Sequence, residues 1–352
     1  MKLPAIFRFF RTHHRRQQES SSNHRIFSGN NENFIKNGAL LLQERLSLFN
    51  GITNPIHFFS VDDINDMSVA HIGMGCAADD LYAGVWNVKL VLVKIFRDAQ
   101  NSSDLACREI AVATQMGNHT NVLRLLGCCL HTERPILVYE WAENGTLDDR
   151  ISCYKEHSKE PLEWKERLRV AWEIAHAVAY LHTAFRRPMI HRHLKPSHVF
   201  LDQDDSARLS YFSLTIPIPE GKTHVEDCLS GTFGYTALDY MTSGRVAEST
   251  DVYSFGVLLL VLMTGKPAVL YRGKVDLVDW VSNCCTTASF NDIVDPAINT
   301  NGAIAEEHLK TLVELALRCS AEDEECRPTM VDVATQLKNI IDQTITPLSE
   351  SL

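Results

Sequence analysis

The hydrophobic period of this chain changes once, near Glu140-Trp141-Ala142, and that change limits the folds open to it. Before it, Val88–Phe96, Val122–Leu130 and Pro135–Trp141 are short runs rich in β-branched residues, the texture of strands. Only Leu105–Met116 reads as a helix among them. After it, Leu168, Ala171, Ile174, Ala175, Val178 and Leu181 recur at about 3.6-residue spacing within Trp164–Thr183. Thr250–Thr264, Glu307–Cys319 and Thr329–Ile341 read as further helices, and no internal repeat is visible. The pattern predicts an α+β chain of two lobes. A small β-rich N-lobe with one helix precedes a large, mainly helical C-lobe. At 352 residues the chain can bury a sizeable core without covalent staples.

Charge narrows the function classes. The formal net charge is −10, the wrong sign for a nucleic-acid binder. Residues 1–26 depart from this, with six Lys/Arg against one acid. Residues 1–35 are therefore expected to be a basic, mobile tail. Its plain reading is a solvated arm; the sharper one is a peripheral membrane contact through Arg11, Arg15 and Arg16. An amphipathic helix over Asn37–Asn50, started by an Asn cap, carries Leu41, Leu42, Leu46, Leu48 and Phe49. Ten cysteines without a C-x-x-C fit reduced, buried thiols and a cytoplasmic chain. The longest apolar run, Phe255–Met263, is nine residues and reads as a buried helix, since a span needs about 18–20.

The landmarks within the two lobes are more specific. Val91-Leu92-Val93-Lys94 is a strand ending in a lysine, and Glu109 lies on the single helix. His191-Arg192-His193-Leu194-Lys195-Pro196-Ser197-His198-Val199 precedes Tyr211-Phe212-Ser213. Gly231-Thr232-Phe233-Gly234-Tyr235, Asp251-Val252-Tyr253-Ser254-Phe255-Gly256 and Cys326-Arg327-Pro328-Thr329-Met330 follow in order. This series resembles a protein kinase from about Ser60 to Ile341. Leu125-Leu126-Gly127-Cys128-Cys129-Leu130, Leu137-Val138-Tyr139-Glu140 and Pro219–Asp227 resemble the wall-associated-kinase-like branch of plant kinases. Phe34–Leu42, followed by Asn54-Pro55-Ile56, is similar to the ZED-related kinases, the ZRK family. The resemblance implies the bilobal protein-kinase fold, divided into a helix and connector at 36–59, an N-lobe at 60–139, a C-lobe at 140–345 and a C-terminal tail at 346–352. It also implies an adaptor of innate immune signalling. Its partners would be a coiled-coil NLR immune receptor and receptor-like cytoplasmic kinases or pathogen effectors. The location would be cytoplasmic, up to the inner face of the plasma membrane.

The same resemblance exposes what phosphoryl transfer lacks here. That reaction depends on positioning and on metal ions that neutralise charge. Mg²⁺ wants oxygen ligands, yet the Asp-Phe-Gly aspartate position is Tyr211 and the second metal position is His198. The catalytic carboxylate position is His193, which could still take a proton. The phosphate-covering loop keeps Gly73 and Gly75, but Ala78 stands at its third glycine. Asp79 and Asp80 then lie where triphosphate would lie, or else turn to solvent. Lys94 and Glu109 are expected to pair, either as a vestigial ATP site or as a lobe-fixing contact. No catalytic residue, cofactor or metal is expected, and ATP binds weakly at most. The alternatives are an active Ser/Thr kinase and a nucleotide-binding switch without catalysis.

Structural expectations accompany these. The resemblance implies that Arg192 can meet an activation-segment anion, here Glu226 or Asp227, and that Asp251 accepts hydrogen bonds from the backbone of the His191–Val199 loop. Arg327 should pair with Asp239 at a longer or water-bridged distance, because Asp is one methylene shorter than the usual Glu. Asp202, Asp204 and Asp205 read as a solvated turn. His191 should point into the core, and His193 and His198 into the cleft, without forming a zinc site.

Overall fold

The computed structural model describes residues 27–74, 79–97, 101–152, 160–270, 275–287, 293–298 and 306–345. The expected tails lie largely outside these residues, as does Gly75. The chain divides into two compact units after Glu143, a few residues past the expected boundary at 140.

The first unit is a six-stranded sheet in the order β1-β5-β6-β4-β3-β2. Its strands are β1 (His57–Phe58), β2 (Ala70–Met74), β3 (Asp79–Trp86), β4 (Lys89–Phe96), β5 (Leu125–Cys129) and β6 (Ile136–Glu140). The short β1 runs parallel to β5, and every other pairing is antiparallel. Among the described residues three helices accompany the sheet: α1 (Asn31–Phe49), α2 (Val61–Asp66) and α3 (Ser102–Met116). Phe59, Ile64, Met67, Val69, Val91, Val93, Cys129, Ile136 and Val138 pack as one buried cluster. Period-2 alternation in β4 and β6 supplies Val91, Val93, Ile136 and Val138.

Helix α1 starts earlier than its apolar pattern suggests. Its cap is Asn30, whose side chain accepts the Asn33 N–H at 2.8 Å, so residues 31–35 belong to the helix and not to a tail. Asn37 is not the cap. It is fully buried, and its amide donates to the carbonyls of Leu130 and Thr132 at 3.0 and 2.9 Å. The first turn carries no apolar signal facing the core, so the periodicity hid it. Leu41 and Leu48 face inward, while Ile35, Leu42 and Leu46 are exposed. A bidentate Arg108–Glu44 pair adds a polar tie between α3 and α1.

The β3–β4 hairpin turns on two left-handed residues, Asn87 (φ 48°) and Val88 (φ 64°). Asparagine tolerates this; a β-branched side chain does not, and Val88 is 98% exposed with no packing to compensate. Left-handed backbone costs an ordinary residue about 1–2 kcal/mol, partly offset by the extra unfolded freedom of glycine. Val88→Gly is therefore expected to stabilise the chain by about 0.5–1 kcal/mol, read as a higher urea midpoint at unchanged slope.

The second unit is mainly helical. Its helices are α4 (Leu147–Ser152), α5 (Trp164–Thr183), α6 (Leu238–Ser243), α7 (Glu248–Thr264), α8 (Leu277–Thr287), α9 (Glu306–Cys319) and α10 (Met330–Ile345). Helix α7 holds the apolar run Phe255–Met263, and nearly every residue from Thr250 on is buried. Among the described residues no helix is long and apolar enough to cross a membrane. Short strands β7 (Met189–Ile190), β8 (Val199–Leu201) and β9 (Ala207–Leu209) bracket the histidine-rich loop. Arg327 pairs directly and bidentately with Asp239, at 2.7 and 3.3 Å, not through a longer gap. The carbonyls of Ala321, Ser249 and Glu322 also receive its guanidinium, so the fork is aimed before it reaches the shorter acid.

Candidate functional site

Two clusters carry the residues singled out by sequence, one in each unit. In the first unit the register pairs Leu81 with Lys94 and Asp79 with Phe96. Strand alternation therefore puts Asp79, Leu81, Lys94 and Phe96 on one face. Asp80 and Ile95 share the other. Consecutive aspartates consequently part. Asp79 turns inward to Lys94 at 3.1 Å, and both are about 2% exposed. Asp80 turns outward to Arg97 at 2.9 Å and His71 at 3.5 Å. Neither outcome expected for the pair, a shared approach to phosphate or a shared exposure, holds.

Lys94 donates to both oxygens of Glu109, at 2.9 and 2.8 Å. The Tyr139 hydroxyl donates to the same carboxylate at 2.6 Å, a contact the sequence did not suggest. Burial alone would lower the proton affinity of Lys94, but Glu109 and Asp79 reverse this and raise its pKa. Asp79 moves up from the ordinary carboxylate value, because desolvation outweighs its attraction to Lys94. One ammonium cannot neutralise two buried carboxylates, so the second acid bears the cost of burial. Gly73 lies in β2 opposite Leu81.

In the second unit the loop after β7 is held by Asp251 at the start of α7. Its buried carboxylate accepts the backbone N–H groups of His191 at 2.7 Å and Arg192 at 2.8 Å, and the His182 Nε2–H at 2.9 Å. Arg192 adopts φ 65° under this constraint. Its guanidinium pairs with Asp227 at 2.7 Å and donates to the Cys228 carbonyl and the Tyr240 hydroxyl. Of the two candidate anions, Asp227 is the one used.

The three substituted positions converge into a stack of rings. His193 meets His198 edge to face at 4.1 Å between centroids, and His198 lies parallel to Tyr211, also at 4.1 Å. Phe200 continues the series, parallel to Tyr211 at 6.5 Å. His191 points into the core and donates to the Ser210 carbonyl at 2.9 Å. His198 is fully buried instead of facing a cleft, and its Nδ1–H donates to the His193 carbonyl. His193 Nε2 shares a hydrogen bond with Thr232 Oγ1 at 2.9 Å. Tyr211 has φ 66°, the left-handed geometry at the head of the Phe212–Leu214 turn.

These groups do not fit Mg²⁺. A buried imidazole committed to a carbonyl and a stacked phenol offer no pair of carboxylate or amide oxygens. Among the described residues no group of three or more His, Cys, Asp or Glu side chains is placed to hold a metal ion. The turn acids are engaged elsewhere: Asp202 with Arg208 at 2.7 Å and Asp205 with Arg150 at 3.1 Å.

Burial, and secondly the neighbouring His193, hold the His198 pKa well below its ordinary value. A proton therefore favours the unfolded chain. Stability from the neutral ring is complete above about pH 6.5 and falls as the pH drops toward the lowered folded value, by at most about 1.4 kcal/mol per pH unit. His198→Asn, which keeps a donor for the His193 carbonyl, is expected to flatten that slope in urea midpoints taken between pH 5 and 7.

Residues 68–337 match the family described as protein tyrosine and serine/threonine kinase. Three Arabidopsis thaliana proteins are similar over 87% of this chain. The non-functional pseudokinase ZED1 is 38% identical across 95% of its own length. The non-functional pseudokinase ZRK2 is 36% identical across 89% of its length. The serine/threonine-protein kinase ZRK1 is 36% identical across 92% of its length.

Proposed function

This chain belongs to the protein tyrosine and serine/threonine kinase family and within it to the ZRK family, and from that premise we propose that it is a non-catalytic adaptor of innate immune signalling. One surface docks a coiled-coil NLR immune receptor, and another engages a second kinase or a pathogen effector. The observation that carries this reading is the stack of His193, His198 and Tyr211 in place of the carboxylates and amide that phosphoryl transfer uses. Two of these relatives, ZED1 and ZRK2, are named non-functional pseudokinases, in keeping with that loss.

Exposed apolar side chains support the binding half. Ile35, Leu42 and Leu46 project from α1. Leu229, Phe233, Leu238 and Met241 project from the segment between Leu214 and the end of α6, with Phe233 65% exposed. Clustered exposed apolar residues of this kind mark interaction surfaces. The segment that bears them is tied by Asp227 to Arg192, so its order requires no phosphate. The location is cytoplasmic, and the basic composition of residues 1–26 suits contact with anionic lipid.

A radiolabelled phosphate-transfer assay with Mg²⁺ or Mn²⁺, run beside co-expression with a coiled-coil NLR receptor, tests both halves. The expected result is no transfer and a receptor complex weakened by Leu42→Glu or Phe233→Glu. Phosphate transfer to a protein substrate would instead support an active kinase, as the name of ZRK1 suggests for that relative.

A further inference from the structure

Lys94 occupies the strand position whose ammonium pairs nucleotide phosphates in kinases. An ammonium has three N–H donors. Here three carboxylate oxygens match them, two from Glu109 and one from Asp79. The Glu109 contacts accompany nucleotide in the family's chemistry, whereas the Asp79 contact takes a phosphate's place. Aspartate is unfavourable in a strand, and burying its charge is costlier still. Its other oxygen, Oδ1, is buried with no hydrogen-bond partner among the described residues, so the side chain caps no turn and serves no second cation. The register alone delivers it to Lys94. An arriving phosphate would have to displace this carboxylate or sit beside it, and like charges in contact repel by about 1 kcal/mol in water and more when desolvated.

We propose that Asp79 is an internal anion at the phosphate position of Lys94, one that excludes nucleoside di- and triphosphates and makes the Lys94–Glu109 pair independent of nucleotide. The inference deepens the non-catalytic reading, and the two fail separately. Nucleotide binding by the wild-type chain as tight as that of a variant without the Asp79 charge, and without transfer, would remove this proposal and leave the adaptor standing; transfer would remove both.

The test is titration of the full chain with ADP, with and without Mg²⁺, followed by thermal shift and calorimetry. The wild type should show no shift at millimolar ADP. Asp79→Asn, nearly isosteric and uncharged, should bind at least about tenfold more tightly, and Lys94→Met in that background should abolish the gain. Asp79→Ser serves as a second uncharged variant should the amide pack poorly. Wild-type binding as tight as that of Asp79→Asn would overturn the proposal. So would two folded, uncharged variants that gain no affinity.

Discussion

Asp251→Ala is expected to lower the unfolding free energy by about 3–5 kcal/mol, the scale of removing one member of a buried charged network. The carboxylate serves three donors at once, His191 N–H, Arg192 N–H and His182 Nε2–H. Its removal leaves all three buried and unmatched. A hydrogen bond to a charged group contributes about 1.5–3 kcal/mol, and the three share one acceptor, so the sum does not simply add. Arg192 would also lose the restraint on its left-handed backbone, itself unfavourable by about 1–3 kcal/mol. The loop should relax and carry His193 away from His198. Denaturant unfolding measures the total, and amide exchange at 191 and 192 locates it. A loss below about 1 kcal/mol would mean that the ring stack, not Asp251, holds the loop. Acid should mimic the substitution. Burial alone would raise this carboxyl's pKa, but the His182 hydrogen bond and the nearby imidazoles hold it below the ordinary carboxylate range. Its contribution is present above about pH 4 and is lost as the pH falls through that lowered value.

Lys94→Ala is expected to be as damaging, again about 3–5 kcal/mol, because it strands Glu109 and Asp79 together without a cation. The usual use of such a variant as a probe of phosphoryl transfer therefore fails in this chain. Loss of a partner complex in Lys94→Ala would report a destabilised first unit as readily as a lost activity. Lys94→Met combined with Asp79→Asn removes the ammonium and one of the two charges. It should recover a measurable part of the stability lost in Lys94→Ala, read from urea midpoints. Equal midpoints for wild type and Lys94→Ala would show that the two acids share a proton instead and that the ion pairs contribute little.

Local periodicity set most of what was legible. The helix Trp164–Thr183 agrees with its pattern at both ends, and the change of period near 140 separates the two units. The lysine, the helix glutamate and the three substituted positions were all readable as residue types at known spacing. Their surroundings were less so. Tyr139 and Thr232 were visible as letters but not as partners, since each meets its neighbour across the fold. Asp79 is the instructive case. Strand parity predicts that two consecutive aspartates point opposite ways, but which of them faces Lys94 depends on the β3–β4 register.

The sequence by itself determined the order of elements, the residue types at 193, 198 and 211 and the basic character of residues 1–26, because these depend on residue type and local period. Tertiary structure decided the rest. It turned Asn37 from a presumed cap into a buried anchor, closed the Arg327–Asp239 pair, and joined His193, His198 and Tyr211 into one stack. Each of these is a contact between groups distant in sequence or a matter of burial. Such contacts are selected by packing and by the cost of leaving polar groups unpaired, and neither is written in any short stretch of chain.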